Sequence, residues 1–513
     1  MHASSSQRSS RIIKNVLMNW VAFAATIVTG FLMSPFLVRN LGDSVYGVWV
    51  LMGSLVGYMG LLDFGLTVST VKYVAEYRAK GDQSAINKVV TGSLAVYSAV
   101  GLLTLCIGAA ASIYFNNIFE SPLSRNVAAA VVILATINQA VSFPSAVFVG
   151  VIRGYQRYDL DAGITTVTIA VRSVLVVVLV RMGYGILALS VVTFTFDVVR
   201  MIYLAWWCYR LNPEIKIARE YLELKQLRRL LGYSALVFVI VIAKRMIFFT
   251  DSIVVGAFLS TAAVTAYFVG NRLVLYLHSL VSEMVGVLTP AASDLDARNQ
   301  HGTIKDLVLI STKYTLLLSL PAATIFFVLG GNFIELWMGP AYKSSWSIMI
   351  ILTAGVLAHL VEMPSHTMLL GRGKHRIVAK LTFAQAIVNL GLSLWLVKPL
   401  GLNGVALGTS IPMIVFTAIA IPVYFRYLGI PLGEFARSSL ALPLLVQAPF
   451  IGLVLVIKYV GQPPTLVLFF LEVSAAFLTY AALAFYLCIS KDERRAFARL
   501  TEKLGLKTAD NFS

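Results

Sequence analysis

Charged residues are scarce in this chain of 513 residues: they make up 13%, while hydrophobic residues make up 58%. Soluble proteins carry about 25% charged residues, because a charged surface keeps them in solution. Half that share excludes an ordinary soluble enzyme or binding domain and predicts an outer surface that faces lipid. The mean hydropathy of +0.82 agrees with this interpretation.

Cysteine is also rare, and the three cysteines, Cys106, Cys208 and Cys488, lie in apolar stretches. Their number and spacing predict neither a disulfide framework nor a metal site. The chain lacks the phosphate-binding sequence G-x-x-x-x-G-K-[ST], so we do not expect it to hydrolyse ATP. Two DxD pairs, Asp159–Asp161 and Asp294–Asp296, have the spacing of metal–nucleotide-sugar ligands in glycosyltransferases, but we interpret them as solvated helix ends. We therefore expect no enzyme activity, no metal and no cofactor.

Long apolar runs are abundant instead. A helix crosses the hydrocarbon core of a membrane in about 20 residues, and runs of that length account for nearly the whole chain. They predict an all-α integral membrane protein with about fourteen transmembrane helices, the first too long for a cleaved signal peptide. The runs are 14–38, 46–71, 89–115, 127–152, 161–181, 185–209, 230–257, 264–290, 307–330, 345–370, 377–397, 402–425, 440–460 and 464–489.

Lysine and arginine are divided unequally between alternate loops. One set of loops, together with both termini, holds 29 of these residues, and the other set holds six. Because basic residues collect in cytoplasmic loops, this asymmetry predicts an even number of helices with both termini in the cytoplasm. It also explains the net charge of +17 without nucleic acid as a partner. The basic loop 210–229 has apolar residues at helical spacing, which predicts a helix along the membrane surface.

An internal repeat divides the predicted helices into two similar halves. The segment PSAVFVGVIRGYQR (144–157) resembles PSHTMLLGRGKHR (364–376), and its Arg153, Gly154 and Arg157 match Arg372, Gly373 and Arg376 at an offset of 219 residues. One helix later, GILAL from Gly185 matches GVALG from Gly404 at the same offset. Parallel repeats of this kind are typical of transporters, with the substrate path between them. The predicted parts are a six-helix bundle at 1–210, a cytoplasmic linker or interfacial helix at 211–229, a second six-helix bundle at 230–426, two additional helices at 427–490 and a cytoplasmic amphipathic tail at 491–513.

Three regions carry a resemblance to a known family: RNLGDSVYGVWVL, GYMGLLDFGL with VKYVAEYRAKGD, and FTDSIVVGAFLSTAAVTAYFVGNRL. With the repeat and fourteen helices, they resemble the polysaccharide transporters, which are Wzx-type O-antigen and exopolysaccharide flippases of the multidrug/oligosaccharidyl-lipid/polysaccharide exporter superfamily. The resemblance covers essentially the whole chain. It implies transfer of an undecaprenyl-type lipid-linked oligosaccharide across a bacterial cytoplasmic (inner) membrane by alternating access, for lipopolysaccharide or exopolysaccharide synthesis. Membrane lipid and polysaccharide polymerase or chain-length proteins are the partners that would follow.

Ionisable residues at membrane depth usually face a cavity or one another, because burying them in lipid is costly. Lys244 and Arg245 are adjacent on the seventh helix, and Asp251 lies about 10 Å further along it, too far for direct contact with Lys244. Two adjacent cations without a partner on their own helix suit a pyrophosphate or an acidic sugar. The alternative is that Asp63 or Glu362 from neighbouring helices neutralises them.

Arg172 and Arg272 are each the only deep base of their helix and are further candidates for binding the same headgroup. Asp197 and Arg200 are three residues apart on one helix face, which predicts a structural ion pair.

His359, Glu362 and His366 fall on one stripe of the tenth helix. Since histidine titrates near neutral pH, this stripe is a candidate proton path, with packing histidines as the alternative. Asp63, Asp251, His359 and Glu362 are our candidate ion-coupling residues. Asp63, close to Gly65, is alternatively a cap on broken backbone.

Two other functions stay open. A cation-coupled multidrug antiporter of the same superfamily usually has twelve helices and an acidic cavity. Two extra helices and the pair Lys244–Arg245 favour an anionic, lipid-linked substrate instead. A non-transporting scaffold of a glycan assembly complex would need none of the deep charges.

Overall fold

The computed structural model describes residues 5–223, 226, 235–461, 463–490 and 493, with the backbone alone given for 5–17 and 235–237. The described residues form helices joined by short loops, and none of them lies in a β-strand. The helices are α1 (Ser5–Leu41), α2 (Asp43–Met59), α3 (Leu66–Lys80), α4 (Gln83–Ile118), α5 (Arg125–Gly154), α6 (Tyr158–Arg181), α7 (Gly185–Leu211), α8 (Ala235–Phe258), α9 (Thr261–Gly286), α10 (Leu288–Ala297), α11 (His301–Val328), α12 (Gly330–Met338), α13 (Ser345–Gly371), α14 (His375–Leu428), α15 (Leu432–Phe435), α16 (Ala441–Val456) and α17 (Leu466–Cys488).

Twelve segments of the described chain are long and apolar enough to cross a membrane. One of them, α14, is 54 residues long and contains Gly401 with φ 56° and ψ −133°, so it combines two of the predicted runs. The helix α8 is not among the twelve, although it has 24 mostly apolar residues, because three charged residues fall within its length. With these two adjustments the described helices account for the predicted fourteen, and the all-α membrane fold is confirmed.

Large apolar side chains are exposed along these helices. Trp395 is 71% exposed, Leu471 61% and Val174 66%. Contiguous exposed apolar surface of this kind marks a membrane or partner interface in a folded chain. It is the surface that the low charge content predicts.

The chain forms two compact units. The first comprises Met1–Phe268 and Ala379–Thr409, and the second comprises Val269–Val378 and Ser410–Ser513. In the first unit, an apolar core between α3, α4 and α5 buries Tyr73, Tyr97, Phe143 and Val147. The two repeated six-helix bundles and their boundaries stay a prediction.

The predicted second helix, 46–71, is interrupted in the structure. After α2, a 3₁₀ turn covers Gly60–Asp63, and Phe64 and Gly65 have φ values of 48° and 72° before α3 begins. Left-handed backbone cannot continue a right-handed helix. The carboxylate of Asp63 accepts a hydrogen bond from the Gly65 N–H at 3.1 Å, which caps the broken turn. The prediction of one continuous helix is therefore wrong here.

The predicted surface helix at 210–229 is absent from residues 212–223, whereas Gln226, a described residue further along the segment, is helical. After α7, residues 212–223 contain only a single 3₁₀ turn, Arg219–Tyr221. The side chain of Asn87 on α4 donates to the Glu214 carbonyl at 3.3 Å and accepts from the Lys216 N–H at 3.2 Å. These bonds satisfy backbone groups that a helix would otherwise pair, so the segment docks on α4 in a non-helical form. The predicted tail, 491–513, lies outside the described residues except for Glu493.

Two glycines bring the halves of α14 close together on either side of the break at Gly401. A Cβ on Gly404 would lie 2.0 Å from the Leu396 carbonyl oxygen, and one on Gly408 would lie 2.4 Å from Ser393 Oγ. Small residues four apart permit such close helix packing in membranes. The hairpin that results carries polar side chains described below.

Candidate functional site

Glycines on α2 and in the turn after it make room for Arg245 on α8. The Arg245 guanidinium lies 4.6 Å from the centre of the Phe249 ring, within the range of a cation–π contact. A Cβ on Gly57 would fall 2.7 Å from Phe249 Cδ1 and 3.5 Å from Arg245 Nη1, and one on Gly60 would fall 3.9 Å from Arg245 Nη2. The glycines of this segment therefore shape the surface against which the arginine lies.

Arg245 is half-buried, and no described carboxylate forms an ion pair with it. The carboxylate of Asp63, one of the two neutralising groups considered from the sequence, is engaged elsewhere in the same unit. Lys244 is exposed. A guanidinium at membrane depth without a carboxylate partner is suited to an anion that arrives from outside the chain.

Asp63 lies at the centre of a small hydroxyl cluster. Its carboxylate accepts a hydrogen bond from Thr67 Oγ1 at 2.8 Å, another from the Tyr97 hydroxyl, and the backbone bond from Gly65. The Thr67 and Tyr97 hydroxyls are themselves 2.9 Å apart. These contacts match the capping interpretation of Asp63, and its ion-coupling role stays a prediction.

The other two predicted headgroup ligands, Arg172 and Arg272, lie on helices other than α8. Arg172 is half-buried on α6, which packs mainly on α1 and α7, whereas α8 packs mainly on α2. The structure therefore does not place Arg172 next to Lys244. Arg272 belongs to the second unit. Its Nε donates to the Tyr276 hydroxyl at 2.8 Å, and its guanidinium lies 4.7 Å from the centre of that ring.

The polar stripe on α13 is buried in the second unit. His359 Nδ1 lies 3.2 Å from Glu362 Oε1, so the predicted i,i+3 neighbours are in contact. The ring of His278 on α9 stacks on the ring of His359 with centres 5.6 Å apart. His366 meets the Tyr424 ring edge-on at 6.3 Å. His278 was missed because a lone histidine on another helix gives no spacing signal.

Asp251 is buried in a polar network of the first unit. Tyr267 donates to its Oδ2 at 2.5 Å, and Thr409 Oγ1 donates to its two carboxylate oxygens at 3.0 and 2.9 Å. Asn389 Nδ2 in turn donates to Thr409 Oγ1 at 2.8 Å. Asn389 and Thr409 were missed, since 138 and 158 residues separate them from Asp251 in the sequence.

The predicted pair between Asp197 and Arg200 is wrong. Arg200 Nη2 lies 2.6 Å from Asp161 Oδ1, and Asp197 instead accepts from Asn138 Nδ2 at 2.9 Å. Residues on neighbouring helices compete with the residue three positions away on the same helix. Here Asp161 on α6 binds Arg200, and Asn138 on α5 binds Asp197.

The interpretation of the first DxD pair as a solvated helix end is also wrong. Asp161 is 4% exposed and binds Arg153 as well as Arg200, with Arg153 Nη2 at 2.6 Å. Asp159 pairs with Arg157 at 2.9 Å. In the second pair, Asp294 is exposed and Asp296 is half-buried; Asp296 accepts from Arg372 Nε at 2.8 Å. Arginines therefore bind all four carboxylates. Those of Asp161 and Asp296 are bound from other helices, while Asp159 binds Arg157 two positions earlier and Asp294 binds Arg298 one turn further along the chain.

Comparisons of the sequence with known proteins agree with this architecture. Residues 12–296 match the model of a family described as polysaccharide biosynthesis protein. A Shigella flexneri protein named as an O-antigen transporter is 22% identical over 81% of this chain and 98% of its own length. The uncharacterized membrane protein EpsK of Bacillus subtilis is 22% identical over 94% of this chain and 96% of its own length. A Haloferax volcanii protein named as a low-salt glycan biosynthesis flippase is 24% identical over 76% of this chain and 78% of its own length.

Solved structures of similar shape include two membrane transport proteins. The lipid II flippase MurJ in its inward closed conformation has a TM-score of 0.70 at 12% identity, covering 92% of this chain and 99% of that protein. An inward-facing multidrug resistance transporter of the MATE family has a TM-score of 0.64 at 16% identity, covering 81% and 98%. At these identities the likeness concerns the fold.

Proposed function

We infer that this chain, which belongs to the polysaccharide biosynthesis protein family, is a flippase for a lipid-linked oligosaccharide. The substrate we propose is an undecaprenyl-type pyrophosphate carrying a glycan made at the cytoplasmic face of a bacterial inner membrane. The relatives named for O-antigen transport and glycan flipping support this substrate class. Transfer to the outer face would supply lipopolysaccharide or exopolysaccharide synthesis.

The observation that carries the proposal is the unneutralised base on α8. Arg245 lies at membrane depth with an aromatic ring on one side and no described carboxylate as partner, and Lys244 precedes it. A guanidinium binds phosphate oxygens in a bidentate manner, and an ammonium adds a point charge. Together they would hold the pyrophosphate while the lipid tail stays in the bilayer. Arg172 and Arg272 are proposed as further contacts along the path.

Energy for directed transfer has to come from an ion gradient, the membrane potential or downhill mass action. We propose His359 and Glu362 as one coupling element, because the imidazole and the carboxylate are both buried and lie 3.2 Å apart, close enough to pass a proton between them. Asp63 and Asp251 are proposed as further coupling carboxylates. Polysaccharide polymerase or chain-length proteins are the proposed partners, and both termini are proposed to be cytoplasmic.

A multidrug antiporter is the second candidate, since the MATE transporter shares the fold. An antiporter for cationic drugs needs an acidic cavity. The carboxylate of Asp63 already accepts hydrogen bonds from the hydroxyls of Thr67 and Tyr97 and from the Gly65 N–H. Arg245, by contrast, has no described carboxylate partner. The charge therefore favours an anionic substrate over a cationic one.

The test is to delete the gene and measure lipid-linked glycan in each leaflet of the membrane. We expect glycan to accumulate in the cytoplasmic leaflet, and wild-type protein to reverse the accumulation. A Lys244→Ala/Arg245→Ala variant should fail to reverse it, while the charge-conserving Lys244→Arg/Arg245→Lys variant should restore part of the transfer. An unchanged glycan distribution combined with new sensitivity to cationic dyes would overturn the flippase and support the antiporter. Full rescue by the alanine variant would overturn the proposed headgroup site.

A further inference from the structure

We propose that Arg157, Arg210, Trp206 and Trp207 form a binding site for the phosphate headgroup of an anionic phospholipid. Trp206, Trp207 and Arg210 belong to the last turns of α7, and Arg157 directly precedes α6. All four lie in the first unit, at helix ends that the division of basic residues predicts to be cytoplasmic. The ligand is a lipid of the bilayer itself, so the site does not depend on the proposed function.

The outer face of α7 is apolar up to the end of the helix. Ile202, Trp206 and Tyr209 are 59%, 52% and 41% exposed, and steps of four and three residues place them on one face. Tryptophan and tyrosine near the end of a membrane helix lie at the level of the lipid headgroups. This face therefore contacts lipid, and a ligand bound at the end of the helix lies among lipid headgroups.

Two arginines lie against the indole rings at this level. The guanidinium of Arg210 lies 5.0 Å from the centre of the Trp206 ring and 5.1 Å from the centre of the Trp207 ring. The guanidinium of Arg157 lies 5.7 Å from the centre of the Trp207 ring. Such cation–π contacts hold a guanidinium in place, and its N–H groups form a fork that matches two phosphate oxygens. Two guanidiniums beside one ring therefore suit a phosphate group.

Positive charge exceeds negative charge in this region. Asp161 binds two arginines, and Asp159 binds Arg157. The described contacts of Arg210 are with the two indole rings, and none of them is with a carboxylate. An anionic lipid gains about 1 kcal/mol from each arginine near the membrane surface, so the surplus favours an anionic lipid over one without net charge. The charged residues of the region are Arg153, Arg157, Arg200, Arg210, Asp159 and Asp161.

The indole N–H of Trp207 adds a hydrogen-bond donor to the cluster. Its Nε1 is buried and has no hydrogen-bond partner among the described residues. The ring packs edge-on against that of Trp206, with centres 5.0 Å apart. Leaving a buried donor unpaired costs about 1–3 kcal/mol, and a buried indole N–H usually has an acceptor. A phosphate or ester oxygen of a lipid held by the guanidiniums would supply that acceptor.

Phosphatidylglycerol and phosphatidylcholine separate this site from ordinary lipid contact. Both lipids have a phosphate and two acyl chains, but the choline group carries a positive charge that cancels the phosphate charge and is repelled by arginine. The site should therefore select phosphatidylglycerol, whereas an apolar helix face alone would take either lipid.

The experiment is quenching of tryptophan fluorescence by lipids with brominated acyl chains, on the purified full-length protein in phosphatidylcholine nanodiscs. The same fraction of the lipid is replaced by brominated phosphatidylglycerol or by brominated phosphatidylcholine. A Trp206→Phe/Trp207→Phe variant gives the background from the other tryptophans. We expect the wild type to bind phosphatidylglycerol about tenfold more tightly than phosphatidylcholine at this site.

Arg210→Gln should lower this preference about fivefold, because it removes one arginine from the membrane surface. Arg210→Lys keeps the charge but loses the planar fork, and should give an intermediate preference. Arg157→Gln leaves Arg210 and both tryptophans in place and should lower the preference by a similar factor, so the site stays testable if Arg210→Gln does not fold. The matched control is Arg426→Gln, which removes an exposed arginine from the last turn of α14 and should keep the wild-type preference.

Equal quenching of the wild type by the two brominated lipids would overturn the site. So would a wild-type preference in both Arg210→Gln and Arg157→Gln, or an equal loss in Arg426→Gln, which would indicate general surface charge. Loss of the preference on adding inorganic phosphate at constant ionic strength would assign the cluster to a soluble anion instead of a lipid. No glycan is present in this measurement, so its outcome is separate from that of the flippase test.

Discussion

Replacing Gly57 with alanine tests whether the position of Arg245 matters, because the change adds no charge and removes no functional group. The new methyl would lie 2.7 and 2.8 Å from two carbons of the Phe249 ring. To restore an ordinary contact of 3.4 Å the ring has to move by about 0.7 Å. The ring stacks on the Arg245 guanidinium, so the arginine has to move with it. Gly53, one turn earlier on α2, is the matched control, because a methyl added there would meet no atom within 4 Å.

The two substitutions differ in the sign of their effect on stability. Alanine in place of glycine in a helix gains about 0.5–1 kcal/mol from backbone entropy, and Gly53→Ala should show this gain in full. Overpacking in a close-packed interface costs about 1–3 kcal/mol, so after the entropy gain of about 0.5–1 kcal/mol Gly57→Ala should be destabilised by about 0–2.5 kcal/mol. Transfer of the glycan should fall with Gly57→Ala and stay at the wild-type level with Gly53→Ala.

Thermal unfolding in nanodiscs measures the first quantity, and rescue of the leaflet distribution in a deletion strain measures the second. A smaller side chain in place of the ring, Phe249→Leu, should partly relieve the clash in the Gly57→Ala background. Identical stability and identical transfer for Gly53→Ala and Gly57→Ala would refute the packing of α2 on α8 described above.

Two further predictions concern stability. Asp161→Asn should lower the free energy of unfolding by about 3 kcal/mol, because it leaves two arginines without their buried carboxylate. The control, Asp294→Asn, removes an exposed ion pair and should change the free energy of unfolding by less than about 0.5 kcal/mol. Denaturant titration measures both changes. Burial acts to raise the pKa of Glu493, but hydrogen bonds from Lys313 and Ser490 outweigh it, so this pKa lies below its ordinary value. The pair should therefore stabilise the protein at neutral pH and lose its effect as pH falls through that lowered pKa. Glu493→Gln should then unfold at a lower temperature than the wild type at pH 7 and at a similar temperature once the pH is below that lowered pKa.

The membrane fold could be predicted because it depends on composition and run length alone. Apolar runs of about 20 residues do not need tertiary contacts to be recognised. The interruption at Phe64–Gly65 was predicted only as the alternative role of Asp63, a cap on broken backbone, because both residues lie in an apolar run. The segment after α7 was predicted as a helix from its spacing, but Asn87, more than a hundred residues earlier, binds its backbone groups instead.

The chemistry of the sites was predictable only in part. Deep charges such as Arg245 and Asp251 were visible because charge in an apolar run is rare. Their partners were not, since Thr409, Asn389 and Tyr97 are neutral residues that are common in membrane helices. The partner of Arg200 was also unpredictable. Arg200 binds Asp161 on α6 rather than Asp197, the nearest acid in the sequence, which lies on the same helix as Arg200.

We propose that this protein carries a lipid-linked glycan across the bilayer by binding its pyrophosphate at Lys244 and Arg245. The most direct measurement uses purified protein in vesicles that contain a lipid-linked oligosaccharide, with a membrane-impermeant lectin reporting how much glycan faces outward. We predict that wild-type protein exposes inner-leaflet glycan to the lectin, that Lys244→Ala/Arg245→Ala exposes little more than protein-free vesicles, and that Gly53→Ala matches the wild type. Equal exposure by the double alanine variant and the wild type, with both folded, would contradict this account.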